Sequence, residues 1–229
     1  MRKESHHNYW LNIIDLEQAK MKIITGNPFD KDTEKDVERI SKALDIKKTD
    51  TVLDFGCGIG RLLKPISKLC DGICGVDISE DMIRYGIEYC KGTTNIRFKA
   101  MQNVSSILLP PSQFDKIYSH IVLQHMYKAD AFKVLTEFGR LLKIGGRVHL
   151  QYPYFRQESY IAHMVQRNQG GTITPLLEFY SEDELRFMFE SIGFKIIEIK
   201  KIDNDFFVLA EKTKPTLIYN EMLFKPDEE

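Results

Sequence analysis

The sequence predicts an α/β domain, a mostly parallel sheet with helices on both faces, and three observations predict it. Short apolar runs of strand length alternate with segments whose apolar residues recur at helical spacing. That alternation needs crossover connections between parallel strands. One run, Val52-Leu53-Asp54-Phe55, passes directly into Gly56-Cys57-Gly58-Ile59-Gly60 and then into a helical pattern of Leu62, Leu63, Ile66 and Leu69. Glycines there bare the backbone N–H groups where a strand meets a helix. A second run, Gly75-Val76-Asp77, ends in a carboxylate seventeen residues beyond Gly60.

Taken in order, residues 9–24 carry Leu11, Ile14, Met21 and Ile24 near helical spacing, and Gly26-Asn27-Pro28 breaks the segment. A helix is expected at 31–45, with Val37, Ile40 and Leu44 on one face. Strands are expected near 51–55, 73–77, 96–100, 114–119 and 146–151, and helices near 61–70, 79–90, 129–143 and 181–192. Pro65 falls in or near the first turn of its helix, where a missing N–H is tolerated. Ser79 is placed as an N-cap with Glu80 and Asp81 behind it, and Ser181 with Glu184 forms a capping box. Gly145-Gly146 is expected to end the helix before the fifth strand. The runs starting at Phe194 and Phe206, joined by Asp203-Asn204-Asp205, read as a hairpin. The tail, 213–229, is either loose or packs Leu217, Tyr219, Leu223 and Phe224 on a partner subunit as a homodimer.

With 229 residues and an apolar fraction of 43%, the chain suits one α/β domain with additions. The expected organisation is a helical N-terminal extension or lid (1–45), a core (46–212) with a substrate-facing insert (152–180), and the tail (213–229). A net charge of −1 advertises no global basic field, so no nucleic-acid partner is expected. Cys57, Cys70, Cys74 and Cys90 form no Cys-x-x-Cys pair and have no histidine at zinc spacing, so they read as reduced core thiols and no metal is expected. Neither a signal peptide nor an apolar run of membrane length is visible, which points to a cytoplasmic protein without a membrane partner.

The glycine turn and Asp77 together suit a nucleoside-bearing cofactor, the carboxylate accepting from ribose hydroxyls. The dinucleotide fingerprint needs its last glycine where Arg61 stands, so a pyrophosphate cradle is out of register. Asp54, two residues before the first glycine, would repel a pyrophosphate but suits an amino-acid ammonium. The Gly-Lys-Ser/Thr of a P-loop is missing. A ligand with ribose at one end and an amino-acid head at the other is S-adenosylmethionine (SAM).

The block Val52 to Arg61 resembles the first motif of the class I SAM-dependent methyltransferases, small-molecule type, and Gly75-Val76-Asp77-Ile78-Ser79 resembles their second. Phe114-Asp115-Lys116-Ile117-Tyr118-Ser119, Leu141 to Gly146, and Ser191-Ile192-Gly193-Phe194 resemble the family's later blocks in order, over roughly residues 45 to 212. The resemblance implies a Rossmann-like, seven-stranded, mostly parallel sheet whose last strand inserts antiparallel. Ligands of such sheets sit at the carboxyl ends of the strands.

The cofactor set is then Asp54, Gly56, Cys57, Gly58, Gly60 and Arg61, with Asp77 for ribose and Ile78 and Met82 for the adenine ring. Gln102 and Asn103 stand where the family often places an acceptor for the adenine amine, commonly a carboxylate, and a carbonyl at Ser119 or His120 would receive the SAM ammonium. His125, in the loop that faces the methyl in this family, is the candidate general base. Acceptor choice is assigned to Tyr9 and Trp10 in the lid, to Gln124, and to Tyr152, Tyr154, Arg156, Tyr160, His163, Arg167 and Tyr180 in the insert. The activity implied is methyl transfer to oxygen or nitrogen of a small molecule, sugar-like or anionic, with S-adenosylhomocysteine (SAH) as product. A tRNA or protein methyltransferase and a non-catalytic SAM-binding regulator remain as alternatives. The Asn-Pro-Pro-Tyr type block of many base-methylating enzymes is absent, with Ser119-His120-Ile121-Val122 in its place.

Overall fold

The computed structural model describes residues 32–103, 107–155, 161 and 177–216. Helix α1 (Thr33–Leu44) precedes β1 (Thr51–Phe55), the one-turn helix α2 (Leu63–Ile66) and β2 (Gly72–Asp77). There follow α3 (Glu80–Tyr89), β3 (Ile96–Ala100), β4 (Phe114–Ser119) and α4 (Lys128–Leu141). The chain continues through β5 (Leu142–Pro153), α5 (Glu182–Ser191), β6 (Phe194–Ile202) and β7 (Asp205–Lys212). The seven strands form one sheet in the order β3-β2-β1-β4-β5-β7-β6. β1 to β5 pair in parallel, and β7 runs antiparallel between β5 and β6, as the family resemblance implies. The order reverses between β1 and β4, and the carboxyl ends of those strands flank the crevice where a ligand belongs.

The sheet is buried on both faces. Leu53, Phe55, Ile117, Phe138, Val148, Leu150 and Phe189 pack in one layer. Ile40, Leu44, Val52, Leu63, Ile66, Tyr118 and Leu209 pack in the other, beneath α1 and α2. Ser79 caps α3 by accepting from the Met82 N–H, and Ser181 and Glu184 make the expected capping box on α5. Four cysteines are free and buried. Among the described residues no His, Cys, Asp or Glu cluster is arranged to hold a metal, and no described helix is long and apolar enough to cross a membrane.

Three local expectations change. The helix expected at 61–70 is only α2 followed by a 3₁₀ turn (Ser67–Leu69), with Pro65 inside the first turn. Gly145-Gly146 does not end a helix. α4 stops at Leu141 and β5 begins at once, the pairing jumping from Phe114↔Leu142 to Lys116↔Arg147, and Gly145 at φ +80° absorbs that irregularity. Asp205 is the first residue of β7, not part of the turn; the turn is Asp203-Asn204, with Asp203 at φ +54°. The proposed dimer residues Leu217, Tyr219, Leu223 and Phe224 lie outside the described residues, as does most of the 1–45 extension.

Candidate active site at the carboxyl ends of β1, β2 and β4

The glycine turn is built by backbone that other residues cannot adopt cheaply. Gly56, Gly58 and Gly60 have φ of +75°, +52° and +84°. A Cβ on Gly56 would lie 2.4 Å from a Val122 methyl, so the loop after β4 approaches this turn directly. The Gly56 and Cys57 N–H groups donate to the Val76 carbonyl at 2.8 and 3.1 Å, tying the turn to β2. Gly58 N–H donates to Asp77 Oδ2 and Ser79 N–H to Asp77 Oδ1, both at 2.9 Å. A carboxylate has about four acceptor positions, so capacity remains beyond these N–H groups. Burial raises the Asp77 carboxyl, and the N–H donations of Ser79, Gly58 and Ile78 oppose the rise. Ile78 is half-buried and Met82 buried at the start of α3; Gln102 and Asn103 are exposed just after β3.

Asp54 lies beneath the turn, 4% exposed, with Tyr118 Oη donating to its Oδ2 at 2.8 Å. Burial, reinforced by Asp77, pushes its carboxyl up to about 7 against the pull of Tyr118 and Arg61. Burial likewise raises the Cys57 thiol, so this cysteine is a packed, protonated group in the turn. Arg61 is buried and points toward α1, where Nη1 donates to Thr33 Oγ1 and Nη2 to Asp36 Oδ2, each at 3.1 Å. His120 Nε2 lies 3.2 Å from the same Asp36 oxygen, and Arg39 pairs with the other. Burial alone would raise the Asp36 carboxyl, but His120, Arg39 and Arg61 outweigh it and hold it at about 2.

The loop after β4 is fastened from three strands. Ser119 Oγ donates to the Phe55 carbonyl at 3.0 Å. Ile121 has φ +59°, a conformation a β-branched residue rarely adopts. Its N–H donates to Gln151 Oε1 at 3.2 Å, and Gln151 Nε2 donates to Asp205 Oδ2 at 2.8 Å. A 3₁₀ turn (Leu123–His125) follows, in which the Gln124 and His125 Nε2 atoms are 3.3 Å apart and the Gln124 carbonyl accepts from Glu178 N–H at 2.8 Å. Phe207 stacks with His120 and His149 at centroid distances of 6.4 and 5.8 Å, and the Arg39 guanidinium lies 4.2 Å from its centroid. Burial pushes His149 down to about 3, with His120 and Arg39 adding to it.

Comparison with known proteins decides the family. A family model described as a methyltransferase domain matches residues 29–199. The chain belongs to the class I SAM-dependent methyltransferases. Demethylmenaquinone methyltransferase of Tropheryma whipplei is 26% identical over 180 residues, which cover 70% of this chain and 73% of that protein. Phosphoethanolamine N-methyltransferase of Triticum aestivum is 29% identical over 129 residues, 54% of this chain and 25% of that protein. Among solved structures, magnesium protoporphyrin IX methyltransferase of Synechocystis PCC 6803, with bound SAH, superposes with a TM-score of 0.65 at 16% identity, covering 88% of this chain and 89% of that one. SAM is the cofactor of this family, and the described residues suit it. Gly56, Gly58 and Gly60 hold the turn at positive φ at the mouth of β1, and the Asp77 carboxylate, oriented by Gly58 and Ser79 N–H, retains acceptor capacity.

The methyltransferase distributes the remaining expected site residues unevenly. Tyr152 and Tyr180 are fully buried, their rings 4.8 Å apart and Tyr152 also packed on Phe189, so neither offers an open acceptor-facing surface. The reason is that β5 runs to Pro153, six residues longer at its two ends than expected, which makes Tyr152 a core-facing strand residue. Their hydroxyls have no hydrogen-bond partner among the described residues. Tyr154 is half-buried against Phe206 and under the Lys201 ammonium, beside a groove of about 400 Å³ toward the β6 edge and away from the glycine turn. Tyr9, Trp10, Arg156, Tyr160, His163 and Arg167 lie outside the described residues. Asp36, Arg39, Gln151 and Asp205 were not anticipated at the site. Asp36 carried a signal: at spacing of four it shares the stripe of Ile40 and Leu44, and a carboxylate on an apolar stripe must find partners.

Proposed function

We propose that this methyltransferase transfers a methyl group from SAM to an oxygen or nitrogen of a small, sugar-like or anionic molecule. The observation that carries the cofactor's placement is Asp77, whose carboxylate is oriented by the N–H groups of Gly58 and Ser79 and still has acceptor capacity. Asp77 receives the ribose hydroxyls, and the backbone of Gly56, Gly58 and Gly60 lies along the methionine part. Ile78 and Met82 pack on the adenine ring, with Gln102 and Asn103 toward its amine. A carbonyl at Ser119 or His120 takes the ammonium. When bound, SAM supplies a methyl already activated on a sulfonium, so the chain's work is to orient the acceptor, exclude water and accept a proton. His125 is the group assigned to that proton, and Gln124 borders the acceptor.

The near-zero net charge supports a small molecule over a nucleic acid, and the names of the similar methyltransferases point the same way. Four reduced, buried thiols support a cytoplasmic setting. Asp77→Ala should weaken SAM and SAH by roughly 2–3 kcal/mol through the loss of two hydrogen bonds to a charged acceptor, read by calorimetry. Unchanged affinity would show that the ribose is held elsewhere. A tight, steeply salt-dependent complex with tRNA would replace the small-molecule reading.

A further inference from the structure

We propose that Asp36 is a positioning residue for the cofactor, joining the glycine turn to the end of β4 across the crevice. One oxygen, Oδ2, receives Arg61 Nη2 at 3.1 Å and faces His120 Nε2 at 3.2 Å; the other pairs with Arg39. Arg61 directly follows Gly60, and His120 directly follows β4, so this one carboxylate bridges the two walls between which the methionine part is assigned. Asp36 is 5% exposed and Arg61 6%, so the contacts are shielded from solvent and salt. Side chains of the protein alone thus fix the separation of the walls, and a preorganised crevice spends less binding free energy on ordering.

The bridge also has an electrostatic side. Asp36 offsets the Arg61 and Arg39 guanidiniums; among the described residues Asp54, Asp77 and Asp205 are further carboxylates near this end, and His149 and His125 further imidazoles. Removing the Asp36 charge would leave two poorly compensated cations beside a crevice that must accept a sulfonium. SAM carries that positive charge and SAH does not, so the loss falls harder on SAM.

The inference rests on the placement of the cofactor at the glycine turn, and the test separates the two. Calorimetry of the full chain with SAM and with SAH is compared for Asp36→Asn, Asp36→Glu and Asp77→Ala, alongside the ligand-free melting temperature. Asp36→Asn should weaken SAH about tenfold and SAM a further two- to threefold or so, with Asp36→Glu recovering part of both. A carboxylate that only braces α1 would lower the melting temperature and leave the SAM-to-SAH affinity ratio unchanged. That result, with Asp77→Ala weakening binding as expected, would overturn the role of Asp36 and keep the cofactor site. Should Asp36→Asn fail to fold, Thr33→Val removes one Arg61 contact while keeping the carboxylate. It should weaken SAH by about two- to fivefold, and unchanged affinity would overturn the inference.

Discussion

Asp54→Asn should make the chain more stable at pH 8 and worse at binding SAM. Asp54 is 4% exposed, and burial holds its carboxyl at about 7 against an ordinary 3.8. Because the folded value is raised, the protonated group favours the native state. That advantage is complete below the unfolded value and is lost as pH rises from about 4 to about 7. A shift of about three pH units corresponds to roughly 4 kcal/mol of destabilisation of the native chain at pH 8. Asparagine cannot ionise and still accepts from Tyr118 Oη, but its NH₂ needs a partner, and an unpaired one returns about 1–3 kcal/mol. The net expectation at pH 8 is a gain of roughly 1–3 kcal/mol, vanishing or reversing at pH 4. Urea unfolding of both proteins at half-unit steps from pH 4 to 8 reads this directly, with the difference growing toward high pH. A difference that stays constant across that range would show that Asp54 does not titrate there and refute the reasoning. On the proposed placement of the cofactor, binding should move the opposite way, since its cationic head loses an ionisable partner.

Other changes follow from the same contacts. His149→Phe should keep the stack on Phe207 while removing a histidine that burial holds at about 3. The folded value is depressed, so the wild-type chain loses up to about 5 kcal/mol as pH falls from 6.5 toward 3, and the variant should not; equal acid sensitivity in urea melts would exclude His149 as the source. Gly56→Ala places a Cβ 2.4 Å from Val122 at φ +75°, costing about 1–2 kcal/mol for the dihedral and about 1–3 for the clash. Adding Val122→Ala should restore only the second part, and full recovery in denaturant midpoint would show that the dihedral costs nothing. His125→Ala should lower turnover by about 10²–10⁴ with SAM affinity nearly intact if the imidazole takes the acceptor's proton. A fall below tenfold would assign the proton to water.

The strands and the glycine turn were legible because their causes are local. A β-rich apolar run, a bend that only glycine adopts and a capping serine each act within a few residues, and the edges of β1, β3 and β4 fell where periodicity places them. The β5 start was not legible in the same way. A glycine pair after a helical pattern signals a helix end, but here the helix had already stopped and the glycines relieve a register jump against β4, which depends on a strand thirty residues earlier. Tyr152 misled for a related reason: an aromatic past an expected strand end reads as surface, and only the length of β5 and its partner β7 shows it to be core, with Tyr180 packed on its ring.

Three unanticipated residues share one property. Asp36 breaks the apolar stripe of α1, while His149 and Gln151 break the inward face of β5 above the buried Leu209 and Tyr118. Each is a buried polar group where patterning calls for an apolar one, and each costs stability unless satisfied. Had they been scattered, each would be a separate packing solution. Instead they converge: Asp36 on Arg61 and His120, Gln151 on Ile121 and Asp205, His149 on Phe207, which stacks in turn under His120. All of them gather toward the carboxyl ends of β4 and β5, beside a backbone at φ +59° held by Gln151. Helix α1, the turn after β1, the loop after β4 and strands β5 and β7 all contribute members, so the network has no sequence signature beyond isolated breaks in pattern. Breaks of local rule that collect at one place, over a strained loop at the switch point of the sheet, are what a chain retains where orientation of a ligand outweighs stability.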